Sequence, residues 1–330
     1  MIAHTGAMPA LAAFSLSDFG LSTIRSIPVP SFTARDGLFL ALGLTTLGFL
    51  VVLYRALRAR RALDESVRIS APIAAVSFVS NFFDTLGIGS FATTTSMFRQ
   101  WNLVADERIP GTLNIGYVMP TVLQAFIYTR IVPVDAVTLI VMIIAAVLGA
   151  WLGAGVVSSW SRRRVQIGMG IALLAAALLI VLSQPQIHLL PVGGTALSLT
   201  GTKLVLGVLG NFLLGALMTL GIGLYAPCMI LIYMLGMNPT AAFPIMMGSC
   251  AFLMPVASVR FLKTGAYEPK AILGMLVAGI PAVLIAALIV KSLPLTAVKW
   301  LVVVVVTYTA AGLLRAARRE KLARAVPAAA

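Results

Sequence analysis

The sequence predicts an all-α polytopic membrane protein: two inverted repeats, each a glycine-broken helix, re-entrant or discontinuous, followed by three spans, with one extra N-terminal helix ahead of them. Three observations carry this. The 330 residues have a mean hydropathy of +1.03, with 60% hydrophobic and only 10% charged residues, a balance typical of integral membrane proteins. Thr85-Leu86-Gly87-Ile88-Gly89 returns as Thr219-Leu220-Gly221-Ile222-Gly223, 134 positions later and again inside an apolar segment. The basic residues behind the net charge of +14 cluster in short loops, a pattern that reads as membrane topology instead of nucleic-acid binding.

Residues 1–36 are a leader without the basic start and short apolar core of a cleavable signal peptide. Gly37 to Leu57 is the extra span, about 20 apolar residues for a hydrocarbon core of roughly 30 Å. It ends in Arg55, Arg58, Arg60 and Arg61, so residues 37–68 form a helix with a basic cytoplasmic loop. The first repeat, residues 69–187, opens with Ala71 to Phe98. Its Ser77, Ser80, Asn81, Asp84, Thr85 and Thr93 to Ser96 make that segment too polar to face lipid on all sides, so it belongs inside a bundle. Ile109 to Tyr128, Val134 to Val157 and Val165 to Leu182 follow as spans. Residues 188–202, rich in Gly, Pro, Ser and Thr, are a connector between halves. The second repeat, residues 203–314, supplies Leu204 to Leu235 with its own glycine break, then Ala241 to Leu262, Ala271 to Val290 and Val298 to Leu314. Residues 315–330 are a basic cytoplasmic tail drawn to anionic lipid of the inner leaflet. At the same offset Pro110 meets Pro244; after a one-residue slip, Pro120 meets Pro255 and Phe126 meets Phe261. Four apolar segments thus correspond in order and length.

Glycine costs about 1 kcal/mol relative to alanine in a helix interior, so a glycine pair in mid-segment marks a break. If both broken segments return to the face they entered, 18 of the 24 Lys and Arg face the cytoplasm and 6 face outside, the C-terminus lies inside, and three spans per repeat turn the second repeat upside down. If the broken segments cross as discontinuous helices, the repeats lie parallel. The charge bias favours the first geometry and leaves the second open.

A half-helix that begins after a glycine pair presents unpartnered amides and the positive end of its dipole, which suits an anion and repels a cation. The candidate solute-binding residues are therefore Gly87, Gly89, Ser90, Thr93 and Thr94 in the first copy and Gly221, Gly223, Tyr225 and Cys228 in the second. Asn114 and Ser249, on the segments that follow, are candidates to line a shared cavity. Each hydroxyl has an ordinary alternative, bonding back to its own helix or bridging to a neighbour. Asp84 is the one ionisable side chain deep in an apolar segment, with Met218 as its counterpart. It reads either as a proton-coupling residue or as an acid that braces the break. Cys228 and Cys250 lack metal-ligand spacing, and no metal or cofactor is expected.

Together these features resemble the TauE/SafE family of sulfite exporters and permeases. The resemblance covers roughly Ile69 to Leu314. It rests on Gly87-Ile88-Gly89 and Gly221-Ile222-Gly223 with Pro227, on the paired segments Ile109 to Thr129 and Phe243 to Thr264, and on Gly149 to Gly155. It departs at Ser90-Phe91, where the family carries a richer glycine run, and at Thr93, which stands where the second repeat has Pro227. The resemblance implies a secondary transporter in the cytoplasmic membrane, moving sulfite or a related sulfur oxyanion or organosulfonate. Its partners are then a small sulfur-containing anion and the lipid bilayer, with no nucleic acid. An anion channel of the same architecture is the nearest alternative. A membrane-embedded lipid-phosphate enzyme is a more distant one, because its chemistry needs a nucleophile beside an acid or base and the only histidines, His4 and His188, lie outside the spans.

Overall fold

The computed structural model describes residues 33–62, 69–87, 89–105, 108–157, 162–182, 194–218, 223–292 and 295–325. Of these, 86% are helical and none forms a strand; one isolated bridge pairs Ala196 with Met237. The helices are α1 (Ala34–Ala62), α2 (Ala71–Thr85), α3 (Ser90–Gln100), α4 (Ile109–Gly116), α5 (Val118–Ile131), α6 (Ala136–Val157), α7 (Arg162–Leu182), α8 (Gly201–Met218), α9 (Tyr225–Met234), α10 (Ala242–Thr264), α11 (Pro269–Ser292) and α12 (Leu295–Ala325). Among the described residues four stretches are long and apolar enough to cross a membrane: Ala34–Ala59, Gly201–Met218, Pro239–Thr264 and Pro269–Ile289.

Burial ranks the helices. The most apolar window of the Pro239–Thr264 stretch is 78% buried and that of α1 only 22%, so α10 is the core of the bundle and α1 its rim. Leu40, Leu44, Leu47 and Tyr54 of α1 are exposed, a face that suits hydrocarbon and not water.

The boundaries differ from expectation in three places. The segment read as one span from Ile109 divides at Tyr117 into α4 and α5. Pro120 supplies the reason: it has no amide for the Gly116 carbonyl, and its ring crowds that carbonyl. Arg162 to Arg164, expected as a loop, begin α7. The basic tail continues α12 as helix to Ala325. The leader up to residue 32, Ile88, residues 183–187 at the end of the expected first repeat, residues 188–193 of the expected connector and residues 219–222 lie outside the described residues.

Residue pairs along neighbouring helices give their directions. α4–α5 and α10 are antiparallel. A Cβ on Gly111 would stand 2.0 Å from the Ala266 carbonyl oxygen, while at the opposite end the Tyr128 and Phe243 rings stack at 5.1 Å. α11 runs parallel to α4–α5, with Gly116 against Met275 and Gly279 against Pro120. α2 runs parallel to α11: Gly274 lies beside Ser70 and Ala74, Ser77 Oγ donates to the Met275 carbonyl at 3.0 Å, and Gly279 abuts Asn81. α3 runs back along α5 and α4, since Ser90 starts beside Asp84 at the level of Gln124 and Thr94 bonds to the Tyr117 hydroxyl.

A second set repeats this plan. α8 runs parallel to α6: Gly207 touches Met142, Asn211 Nδ2 donates to the Met142 carbonyl at 2.7 Å, and Gly215 meets the Ala146 carbonyl. α9 runs back along α8, with Leu231 beside Gly210 and Leu235 beside Gly207. Its far end returns to where α8 began, for Asn238 N donates to the Ala196 carbonyl at 2.8 Å. α2–α3 and α8–α9 are therefore helical hairpins.

Loops collect at the two ends of the bundle. At one end Arg108 pairs with Glu268 at 3.2 Å and Glu268 N donates to Thr112 Oγ1 at 2.9 Å. At the other, Asp135 N donates to the Leu197 carbonyl at 2.9 Å and the Arg35 guanidinium to the Val134 carbonyl.

Candidate functional site between the hairpin tips

Ser77, Asn81 and Thr85 of α2 recur every fourth position, and Asn81 and Thr85 spend donors on the preceding turn. Asn81 Nδ2 donates to the Ser77 carbonyl at 2.8 Å, and Thr85 Oγ1 to the Asn81 carbonyl at 2.7 Å. Back-bonding of this kind loosens a helix and ends it readily. After Thr85 the chain turns, with Gly87 N donating to the Asp84 carbonyl at 2.8 Å. Gly87 and Gly89 take φ of 97° and 84°, left-handed values that cost a side-chain-bearing residue about 1–2 kcal/mol. Gly87 and Gly89 lie between the end of α2 and the start of α3, which runs in the reverse direction.

Asp84 sits inside this turn, 3% exposed. Its Oδ1 accepts from the backbone amide of Ser90, the first residue of α3, and its Oδ2 accepts from Gln124 Nε2 at 3.0 Å. The same Nε2 donates to Thr85 Oγ1 at 2.9 Å, and Gln124 Oε1 accepts from the Tyr225 hydroxyl at 2.9 Å. The Gln124 amide has one orientation only, because a flip would turn its carbonyl oxygen toward a carboxylate and its NH2 toward a hydroxyl proton. Tyr128 OH donates to the Thr85 carbonyl at 3.2 Å. A buried carboxylate is expensive unless donors replace its water. Among the described residues these donors are neutral, an amide N–H and a side-chain NH2.

Tyr225 is the first residue of α9, which follows the second glycine pair, with Pro227 in its first turn where a missing amide proton costs nothing. The first tip faces this helix: a Cβ on Gly87 would stand 3.2 Å from Met229 Cε. Beside Gly89 and Gly223 no described atom lies within 4 Å of an added Cβ. The first tip and the start of α9 are thus joined by one chain of hydrogen bonds, Ser90 to Asp84 to Gln124 to Tyr225. The corresponding place in the second hairpin is apolar, for Met218, at Asp84's counterpart position, meets Cys250 Sγ at 3.6 Å.

The expected site residues divide. Gly87, Gly89, Ser90, Tyr225 and Asp84 come together here, whereas Gly221 lies outside the described residues. The Ser90 amide, expected to be open to an anion, is held by Asp84, which gives the bracing role a geometry. Thr93 Oγ1 bonds back to the Ser90 carbonyl at 2.9 Å, and Asn114 Nδ2 to the Pro110 carbonyl at 2.9 Å, so the Thr93 hydroxyl and one of the two Asn114 N–H donors are spent on their own helices. Thr94 pairs with Tyr117. Cys228 is fully buried, and Ser249 Oγ accepts from Asn211 Nδ2 at 3.1 Å between α8 and α10. Gln124 and Tyr128 complete the network without having been singled out, together with Thr85 of the repeated motif. Gln124 in the apolar segment Ile109 to Tyr128, with Thr121 and Tyr128 on its own helix face, is the signal that could have found the α5 part of the network. No protein family, no curated protein and no solved structure matches this chain.

Proposed function

We propose that this protein is a secondary transporter for a small anion, with the solute bound where the two hairpin tips approach each other. The observation that carries this reading is the chain Ser90–Asp84–Gln124–Tyr225, which ties together the ends of two opposed helical hairpins deep in an apolar bundle. Irregular backbone with polar side chains at membrane depth is tolerated where it is enclosed by protein or lines a cavity, and hairpin tips at the middle of a repeat are where transporters bind their solutes.

Several contacts support an inverted repeat. α2 packs on α11 and α8 on α6, and these pairings exchange when the halves are exchanged. Ser77 and Asn211, 134 positions apart, each donate to a methionine carbonyl, of Met275 and Met142 respectively. The helices α4–α5 and α10, equivalent by sequence, lie antiparallel. For the second hairpin, α8 is long enough to cross a membrane by length alone. The bond between Asn238 and Ala196 favours re-entry instead, because it brings both ends of the hairpin to one level. With both hairpins re-entrant, α1, α4–α5, α6, α7, α10, α11 and α12 are seven spans and the C-terminus is cytoplasmic.

The choice of sulfur oxyanions within the class of small anions rests on the resemblance to TauE/SafE proteins. It is tested by flux into proteoliposomes holding the purified protein, with sulfite, thiosulfate, sulfoacetate and sulfate as the panel. Saturable flux of at least one, driven by a proton gradient, is the expected result. Absence of saturable flux for the whole panel overturns the reading, and flux indifferent to the proton gradient replaces the carrier with a channel.

A further inference from the structure

The transporter reading leaves the Asp84 geometry unexplained, for an anion site whose donors are already taken by a carboxylate cannot hold a second anion. The Ser90 amide points at Oδ1 and the Gln124 NH2 at Oδ2. These are two donors aimed at two oxygens on one centre, the same face that a sulfite, sulfonate or carboxylate group presents. We infer that Asp84 is a built-in stand-in for the solute: in the empty protein its carboxylate holds the donors, and the solute anion takes them over as Asp84 accepts a proton.

The balance is simple. One proton from solution forms an O–H bond on the Asp84 carboxyl and no covalent bond breaks. The carboxyl becomes a poor acceptor, which releases the Ser90 amide and the Gln124 NH2, and the solute oxygens accept from both. Tyr225, tied to Gln124 Oε1 at 2.9 Å, carries the exchange to the second hairpin, so emptying and filling the first tip changes what holds the second. The proton replaces a negative charge with a neutral group as another negative charge arrives. Whatever charge the solute carries, the buried site then holds one negative charge fewer than it would with Asp84 ionised.

The other titratable groups around Asp84 are phenols and thiols. Tyr128 of α5 and Tyr117 of the α4–α5 joint, Tyr225 and Cys228 of α9, and Cys250 of α10 are buried. Phenols and thiols ordinarily ionise at about 10 and about 8.5. α2, α3 and α11 bring no described acid, base or cation against the carboxylate.

This inference rests on the transporter reading, and its test separates the two. Sulfoacetate and thiosulfate serve as probes because their own charge is constant between about pH 6 and about pH 8, so any proton taken up on binding goes to the protein. Purified wild-type protein in weakly buffered nanodiscs should take up close to one proton per probe bound, and affinity should rise as pH falls, by up to about tenfold per pH unit. Asp84→Asn should bind the same probe with no proton uptake and with affinity independent of pH, and should exchange labelled probe while failing to accumulate it on a proton gradient. Binding by wild type without proton uptake overturns the inference and leaves the transporter standing. So does Asp84→Asn that keeps the uptake. Failure of wild type to bind either probe, together with no flux of the panel, brings down both. Should Asp84→Asn not fold, the wild-type proton count alone decides.

Discussion

Gln124 uses both ends of its amide, and the consequence is specific. Gln124→Leu leaves Asp84 Oδ2 and the Tyr225 hydroxyl buried without their partner, a loss of about 1–3 kcal/mol that thermal unfolding in detergent should register, together with loss of flux. Gln124→Glu keeps the shape but sets a second carboxylate against Asp84 Oδ2. It should therefore impair flux more at high pH than at low, a pH dependence absent from the leucine variant. Gly87 is constrained twice, by its φ of 97° and by Met229 3.2 Å from where a Cβ would stand. Gly87→Ala should cost about 1–2 kcal/mol, and Gly87→Val, which also pushes on Met229, should abolish flux with the protein still in the membrane. Normal uptake by the valine variant would remove the first tip from the site.

Between elements, contacts without room for side chains hold the hairpins to the spans. At Gly215 of α8 a Cβ would meet the Ala146 carbonyl oxygen at 2.0 Å, and at Gly149 of α6 one would meet that of Phe212 at 1.9 Å. Glycine here permits two backbones to touch, the usual means of helix association where no hydrophobic drive separates protein from lipid. Gly215→Val should separate α6 from α8 and give protein that unfolds at lower temperature or fails to accumulate. Gly43→Val on the rim helix α1, where no described atom lies within 4 Å of an added Cβ, should leave both properties unchanged. If both variants behave alike, close packing of α6 on α8 is not what positions the second hairpin.

For the molecule as a whole, the proposed topology makes a two-sided prediction. Asn102, Lys270 and Arg318, all exposed, belong to the cytoplasmic end with the Arg108–Glu268 pair, whereas Asp135 and Ser198, also exposed, belong to the opposite end. Single cysteines at the first three should react with a membrane-impermeant thiol reagent only after permeabilisation, and those at the last two in intact cells. The native Cys228 and Cys250 are buried and should stay silent. External labelling at Lys270 would break the inverted arrangement.

Composition by itself determined the almost wholly helical class with helices apolar and long enough to cross a membrane, the first of them included, because apolar length is a local property. The sequence also marked Asp84 as unusual, since a charge within a hydrophobic run is visible without coordinates. The direction of α3 against α2, the break at Tyr117, and the use of the Ser90 amide by Asp84 and not by an open site were decided by tertiary structure. The physical reason is one of reach: hydrogen bonds such as those of Gln124 join residues 40 and 101 positions away along the chain, and no local pattern encodes which donor meets which acceptor once the helices have packed.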